Sequence, residues 1–184
     1  LEARGMPLRE AYKPFVHAPY FDSDEQGAAV GIFLMGGDPL LKNSYSLRAL
    51  EGIESGRASY DAILTNTSFW PTITLHAYDS AFKGDLFHGD SVWYRERGGE
   101  AAAGLDFIHR VSPSRIHSNV TAGVRFRRFD SLDDSFVIDH ARDSALSGYI
   151  AAGIQRIPDS APRDMTPGWG HLLFVSREEG FNRF

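Results

Sequence analysis

At 184 residues, with a net charge of −5 and no cysteine, the chain fits one domain and carries neither a disulfide framework nor a thiolate metal site. The acidic balance argues against nucleic acid as a partner. Mean hydropathy is −0.27, and no apolar run reaches the ~18 residues of a spanning helix. That hydropathy suits a soluble protein, and equally a membrane β-barrel, whose lumen and loops dilute its lipid-facing residues. The first residue is Leu1 rather than methionine, so a processed product or a part of something longer is expected, with any targeting peptide outside the chain.

The aromatic opening "YKPFVHAPYF" leads into "DSDEQG" (22–27), whose residues tolerate a tight turn. "AAVGIFLMGG" (28–37) is apolar on both faces for several residues. "NSYSLRALEG" (43–52) sets Tyr45, Leu47 and Ala49 against Ser46 and Arg48, with Leu50 blurring the pattern. After a turn at "ESGR" (54–57), "ASYDAILTN" groups Tyr60, Ala62 and Leu64, and "PTITLHAY" (71–78) puts Ile73, Leu75 and Ala77 opposite Thr72, Thr74 and His76. "FKGDLFHGDSVWYRERGGE" (82–100) reads as a long strand pair with a loop, or as a surface loop. "AAGLDFIHRV" (102–111) aligns Leu105, Phe107 and Val111 against Gly104, Asp106 and Arg110.

The cleanest segment follows the "SPS" turn (112–114). "RIHSNVTAGVRFRRF" (115–129) places Ile116, Ser118, Val120, Ala122, Val124 and Phe126 in one file. The other file holds His117, Asn119, Thr121, Gly123, Arg125 and Arg127. "DSLDDS" (130–135) marks a further turn. "SGYIAAGIQRI" and "GHLLFVSRE" are apolar with weaker alternation, and the proline-rich "PDSAPRDMTPG" (158–168) between them reads as an extended loop. Period two over four to eight residues is the strand signature. Short helices around "SGRASYDAI" and "DHARDSALSG" are the competing local reading. The total is about eight strands spaced ~20 residues apart, wider than the 8 to 12 of compact sandwiches. Longer tilted strands joined alternately by short turns and long loops fit that spacing.

Such two-file strands separate either a core from water or lipid from a wet interior. Arg125 and Arg127, with Asp106 and Arg110 on the expected neighbour, suit a hydrated lumen in which charges pair. Aromatic clusters at Phe15, Tyr20 and Phe21, at Phe69 and Trp70, at Trp93 and Tyr94, and at Phe126 and Phe129 suit girdles at two membrane interfaces. Periodicity leaves both a membrane barrel and a soluble sandwich or lipocalin-like barrel open.

No catalytic constellation emerges. The seven histidines (His17, His76, His88, His109, His117, His140 and His171) form no HExxH or HxH spacing. An approach of His76, His109 and His117 is the one metal arrangement that adjacent strands could produce. "GIFLMGGD" lacks GxGxxG, "GWGHL" lacks the serine of a nucleophile elbow, and Asp133–Asp134 and Glu178–Glu179 read as solvated charges. A non-enzyme without cofactor or metal is expected.

The order of short motifs resembles the opening of the barrel in bacterial surface-antigen proteins of the BamA/TamA superfamily. It is most similar to the branch in which the barrel follows a TolB-like, WD40-type propeller. The matching residues are Tyr12 to Pro14, Pro19 and Tyr20, the Gly31 segment, Asp38 before "SYSL", the Tyr60 segment, Asn66, and Trp70, Pro71 and Thr72. "VWYRERGGEAAAGLDFIHRVSPSRIHSNVTAGVRFRRF" is similar to that branch's aromatic–charged loop and following hairpin, and "HLLFVSREEGFNRF" to a later strand. The resemblance covers about residues 10 to 130 and the last segment. It implies an all-β fold, an antiparallel transmembrane barrel of about sixteen strands of which this chain supplies about half. It further implies location in the bacterial outer membrane and a role in protein insertion or translocation there. The lid-loop motif, the terminal aromatic signal, the propeller and any POTRA-like domains have no counterpart in this sequence.

On the membrane reading, Ile73, Leu75, Leu105, Phe107, Val120, Val124 and Phe126 face lipid, and Thr74, His76, Asp106, Arg110, Arg125 and Arg127 face the lumen. The partners are then outer-membrane lipid and further barrel strands, from the same gene product or from a second copy. Eight strands closed on themselves would crowd Arg48, Arg110, Arg125 and Arg127 against few inward acids, Asp61 and Asp106, in a narrow interior. Closure within this chain is therefore not expected. The alternative is a soluble β-barrel or sandwich that binds a small apolar ligand along its apolar file.

Overall fold

The computed structural model describes residues 13–40, 42–87, 90–111, 114–132, 144–158 and 171–181. They form nine strands: β1 (Pro14–Asp24), β2 (Gly27–Gly37), β3 (Asn43–Gly52), β4 (Ala58–Asn66), β5 (Thr72–Phe87), β6 (Asp90–Val111), β7 (Ser114–Ser131), β8 (Ser144–Pro158) and β9 (His171–Gly180). Each pairs antiparallel with the next in one up-and-down sheet, in the order β1 to β9. The fold is all-β. Among the described residues the sheet is open, with β1 and β9 as its two edges, and does not close into a barrel.

Nine strands replace the expected eight because "PFVHAPYFDSD" is itself a strand. Pro14 and Pro19 disguise it in the sequence, since proline lacks a ladder donor. An edge tolerates that loss, and β1 is an edge. β5 and β6 also extend further than their alternating cores. The segment 82–100 is not a surface loop: Ser80 to Gly84 pair in register with Glu96 to Val92. "ASYDAILTN" is β4 rather than a helix. The turn expected at 130–135 and the extended loop expected at 158–168 lie in part outside the described residues. Of the second possible helix, residues 144–148 belong to β8 while the rest lie outside them.

The short turns are held by aspartates. At the β1–β2 tip, Asp24 Oδ1 accepts from the backbone N–H groups of Gln26 (2.9 Å) and Gly27 (3.0 Å), and Ser55 Oγ donates to Oδ2. Gly27 sits at φ 142°, which only glycine adopts readily. Between β2 and β3, Asp38 Oδ1 accepts from Leu40 N (2.8 Å) and Lys42 N (3.1 Å). Its Oδ2 accepts from Asn43 N (2.7 Å) and Asn43 Nδ2 (2.8 Å).

Among the described residues there is one layer and no second sheet. Of the hydrophobic side chains among the described residues only Ala29 and Ala102 are buried. Large apolar groups along the strands are instead exposed, Val124 by 52% and Ile150 by 53%.

Desolvation pushes the Asp38 carboxyl upward, but the four donors outweigh it and hold the group below the ordinary carboxylate value. A depressed folded value means that the stabilising contribution is complete above the unfolded value of ~3.9 and is lost as pH falls through the lower folded value. Amide exchange at Leu40, Lys42 and Asn43 should therefore be slow near neutrality and quicken, relative to intrinsic rates, only below about pH 4. Asp38→Ala should leave these amides fast at every pH, and equal protection in the variant would refute the cap.

Candidate functional site

The register assigns every strand residue to one of two faces, because directly opposed residues point the same way. Ile73 opposes Ala103 and Leu75 opposes Ala101 on β6, and Ala101 opposes Val124 on β7. Leu105 opposes Val120, and Phe126 lies opposite Leu146 on β8. Ile73, Leu75, Leu105, Phe107, Val120, Val124 and Phe126 thus share one face. Thr74, His76, Asp106, Arg110, Arg125 and Arg127 share the other.

The polar face carries a continuous line of paired charges. On β3, Arg48 Nη1 donates to the Tyr20 hydroxyl of β1 (3.2 Å), lies over that ring, and stands 3.7 Å from Asp61 of β4. The Asp61 carboxylate is also 3.2 Å from His76 Nε2 on β5. Tyr78 donates to Glu96 of β6 at 2.6 Å. Arg125 Nε donates to Glu100 at 2.7 Å, and Tyr149 of β8 donates to the other oxygen of that carboxylate. Glu178 of β9 closes the line: Arg127 donates to it at 2.8 Å, Arg125 is 3.6 Å away, and Ser147 Oγ donates to it.

Partly exposed ion pairs of this kind contribute ~0–1 kcal/mol each. Their chemical effect is compensation of charge across a surface that water reaches. Asp106 and Arg110 stand apart from the line. Asp106 pairs with His117 at 3.2 Å, and Arg110 lies opposite Arg115 near the β6–β7 turn.

Three carboxylates in this line correct the expectation of few inward acids. Glu96 and Glu100 lie in a segment whose glycines and charges mimic a loop. Glu178 passes for a solvated strand-end charge beside Glu179. The alternation Tyr94, Glu96, Gly98, Glu100, Ala102 carries the signal for the first two. Glu179 pairs with Arg177 on the opposite face. The three histidines do not converge, because His109 falls on the face opposite His117, and β6 separates His76 from His117. Among the described residues no group of three metal-binding side chains forms.

The aromatic clusters divide between the faces. Phe21, Phe107 and Phe126 lie in the apolar file, and Trp70 meets Phe107 edge-on at 6.1 Å. Tyr20, Tyr94 and Phe129 lie on the polar face, where Tyr94 packs against Phe82 and Phe129.

Glycines opposite tyrosines shape the polar face. Tyr20 pairs with Gly31, Tyr78 with Gly98, and Tyr149 with Gly123. A Cβ at Gly98 would lie 2.6 Å from the Tyr78 ring and 2.7 Å from the Phe126 carbonyl. One at Gly123 would lie 2.8 Å from both the Tyr149 ring and the Ala101 carbonyl. The missing side chains at Gly98 and Gly123 let the Tyr78 and Tyr149 rings lie across their partner strands and bring their hydroxyls to Glu96 and Glu100. No protein-family model, curated protein or solved structure matches this chain.

Gly98→Ala and Gly123→Ala should each destabilise the sheet by ~1–3 kcal/mol, as overpacking does. Because backbone oxygens contribute to each clash, Gly98→Ala should remain destabilising in a Tyr78→Ala background. Denaturant titration of the wild type, the three single variants and the Gly98→Ala/Tyr78→Ala double variant checks this.

Proposed function

We propose that this sheet is part of a transmembrane β-barrel in a bacterial outer membrane, of the surface-antigen kind its motifs resemble, serving protein insertion or translocation. One observation carries the membrane reading: the exposed apolar file forms a band that crosses the strands obliquely. On β2 the file Val30, Ile32, Leu34 is centred on Ile32. Its row runs through Ala49, Tyr60, Asp79 and Arg97 to Arg128 on β7. The β7 file from Ile116 to Phe126 is centred instead near Thr121, about seven residues lower after about five strand steps. At ~3.3 Å per residue and ~4.8 Å per step this is ~23 Å along the strands for ~24 Å across them. The slope is roughly 45°, the tilt to the membrane normal of spanning strands.

The band's height agrees. The β7 file covers ~33 Å of strand, which at that tilt stands ~23 Å tall, against the ~25 Å apolar band of such barrels. Outward-facing Arg97 and Arg128 end it on one side, His109 and Arg156 on the other. Phe69 and Trp70, both 71% exposed, and Phe107 stand near the second boundary, and Phe21 and Tyr60 near the first, as interfacial aromatics do. The opposite face supplies the paired, hydrated lining that a lumen needs. The edges β1 and β9 cannot remain unpaired in hydrocarbon, so further strands complete the ring, from the same gene product or a second copy. The insertion or translocation role rests on the motif resemblance alone.

Extraction behaviour tests the membrane reading: recovery only with detergent and heat-modifiable gel mobility are expected. A monodisperse chain in plain buffer would overturn it in favour of a soluble ligand-binding sheet. Within a membrane-folding assay, Val124→Arg should cost ~2–4 kcal/mol and Arg125→Val distinctly less. Equal tolerance of the two substitutions would remove the assignment of faces.

A further inference from the structure

The outward face changes character one row beyond the apolar band on β5, β6 and β7. Gly99 and Phe126 form the last apolar row, and Arg97 and Arg128 oppose each other in the next. Arg95 follows Arg97 on the same face, and Lys83 lies on it further along β5. Two aspartates, Asp79 and Asp130, stand among these four basic groups, leaving an excess of positive charge.

The aspartates are unevenly shared. Arg95 grips Asp79 through Nε and Nη2 (2.5 and 3.0 Å). Arg97 is left 3.6 Å from Asp79 and 3.1 Å from Asp130, and Arg128 lies 3.5 Å from Asp130. The Arg97 and Arg128 side chains stay 48% and 53% exposed, on the same face as the band. Below them, Ala101, Ala103, Ala122 and Gly148 leave a shallow, largely apolar depression of about 810 Å³, with the Arg177–Glu179 ion pair of β9 also on its lining.

We infer that Arg97 and Arg128 form a binding site for the phosphate headgroup of an anionic lipid, with an acyl chain lying along the band beneath them. The inference rests on the membrane reading above. Two planar guanidinium groups at a hydrocarbon boundary match a phosphate in charge and in fork geometry. The adjoining apolar surface selects a lipid over free phosphate, because only a lipid occupies both parts. Basic groups at a membrane surface attract anionic headgroups in this way.

The test uses the full chain folded into bilayers of roughly equal phosphatidylcholine and phosphatidylglycerol, with co-retained lipid measured by native mass spectrometry. Phosphatidylglycerol should be enriched over the bulk. The enrichment should fall on the order of five-fold for each of R97Q and R128Q. The charge-preserving R97K/R128K pair should keep only part of it, because lysine supplies the charge without the planar fork, and R57Q, at the β3–β4 turn, should change nothing. Retention of β-sheet circular dichroism shows that each variant is folded, and R97K/R128K remains informative should the glutamine variants fail to fold. Unchanged enrichment in R97Q and R128Q, or loss of enrichment on adding millimolar inorganic phosphate, overturns the lipid site. Lipid retained without preference for phosphatidylglycerol overturns it while leaving the membrane reading intact. No retained lipid at all defeats both.

Discussion

The structure depends on register. Eight successive antiparallel pairings hand the two faces from β1 to β9 without inversion. Because the side-chain period is two, a slip of one residue at any pairing would carry every later apolar group to the polar face. The register shifts in the β1–β2 and β5–β6 ladders fall next to Pro14 and between Gly84 and Phe87. Both lie away from the part of those ladders that carries the apolar band. Continuity of register therefore makes a row of short alternating segments into two coherent surfaces.

That continuity also sets the electrostatics. Arg125 alone would be a half-buried, uncompensated charge, but opposite Glu100, beside Glu178 and over the Tyr149 ring, it belongs to a compensated line. The tyrosine–glycine pairs supply its geometry. Removing a side chain at Gly98 and Gly123 clears a path for Tyr78 and Tyr149 across the sheet, so their hydroxyls reach carboxylates on β6. Packing and charge are thus solved by the same residues.

A single sheet with exposed apolar side chains on one face requires something to cover that face. A second protein layer and a bilayer both satisfy this in principle. A flat layer of protein imposes no particular direction on the apolar patch, whereas a bilayer imposes a band of fixed height lying in its plane. The oblique course from Ile32 to the middle of β7, with arginines where the band stops, is what tilted strands in a bilayer need.

By itself the sequence determined the strand character and the two-file division of its most regular segments. Asn43–Gly52 and Ala58–Asn66 stand as read, and 115–129 sits inside β7, because period two is a local property of the chain. The site residues of Thr72–Phe87, Asp90–Val111 and β7 could be sorted into two files for the same reason. The prolines of β1 hid a strand whose missing ladder donors are tolerable only at an edge, and edge position is a property of the whole sheet. Glu96, Glu100 and Glu178 were equally illegible as members of the charged line, since their partners are 18 to 51 residues away on other strands. The tertiary structure alone decided the register, and with it the slope of the band and the meeting of Arg97 with Arg128. Both arise from pairing between strands, which no local pattern encodes.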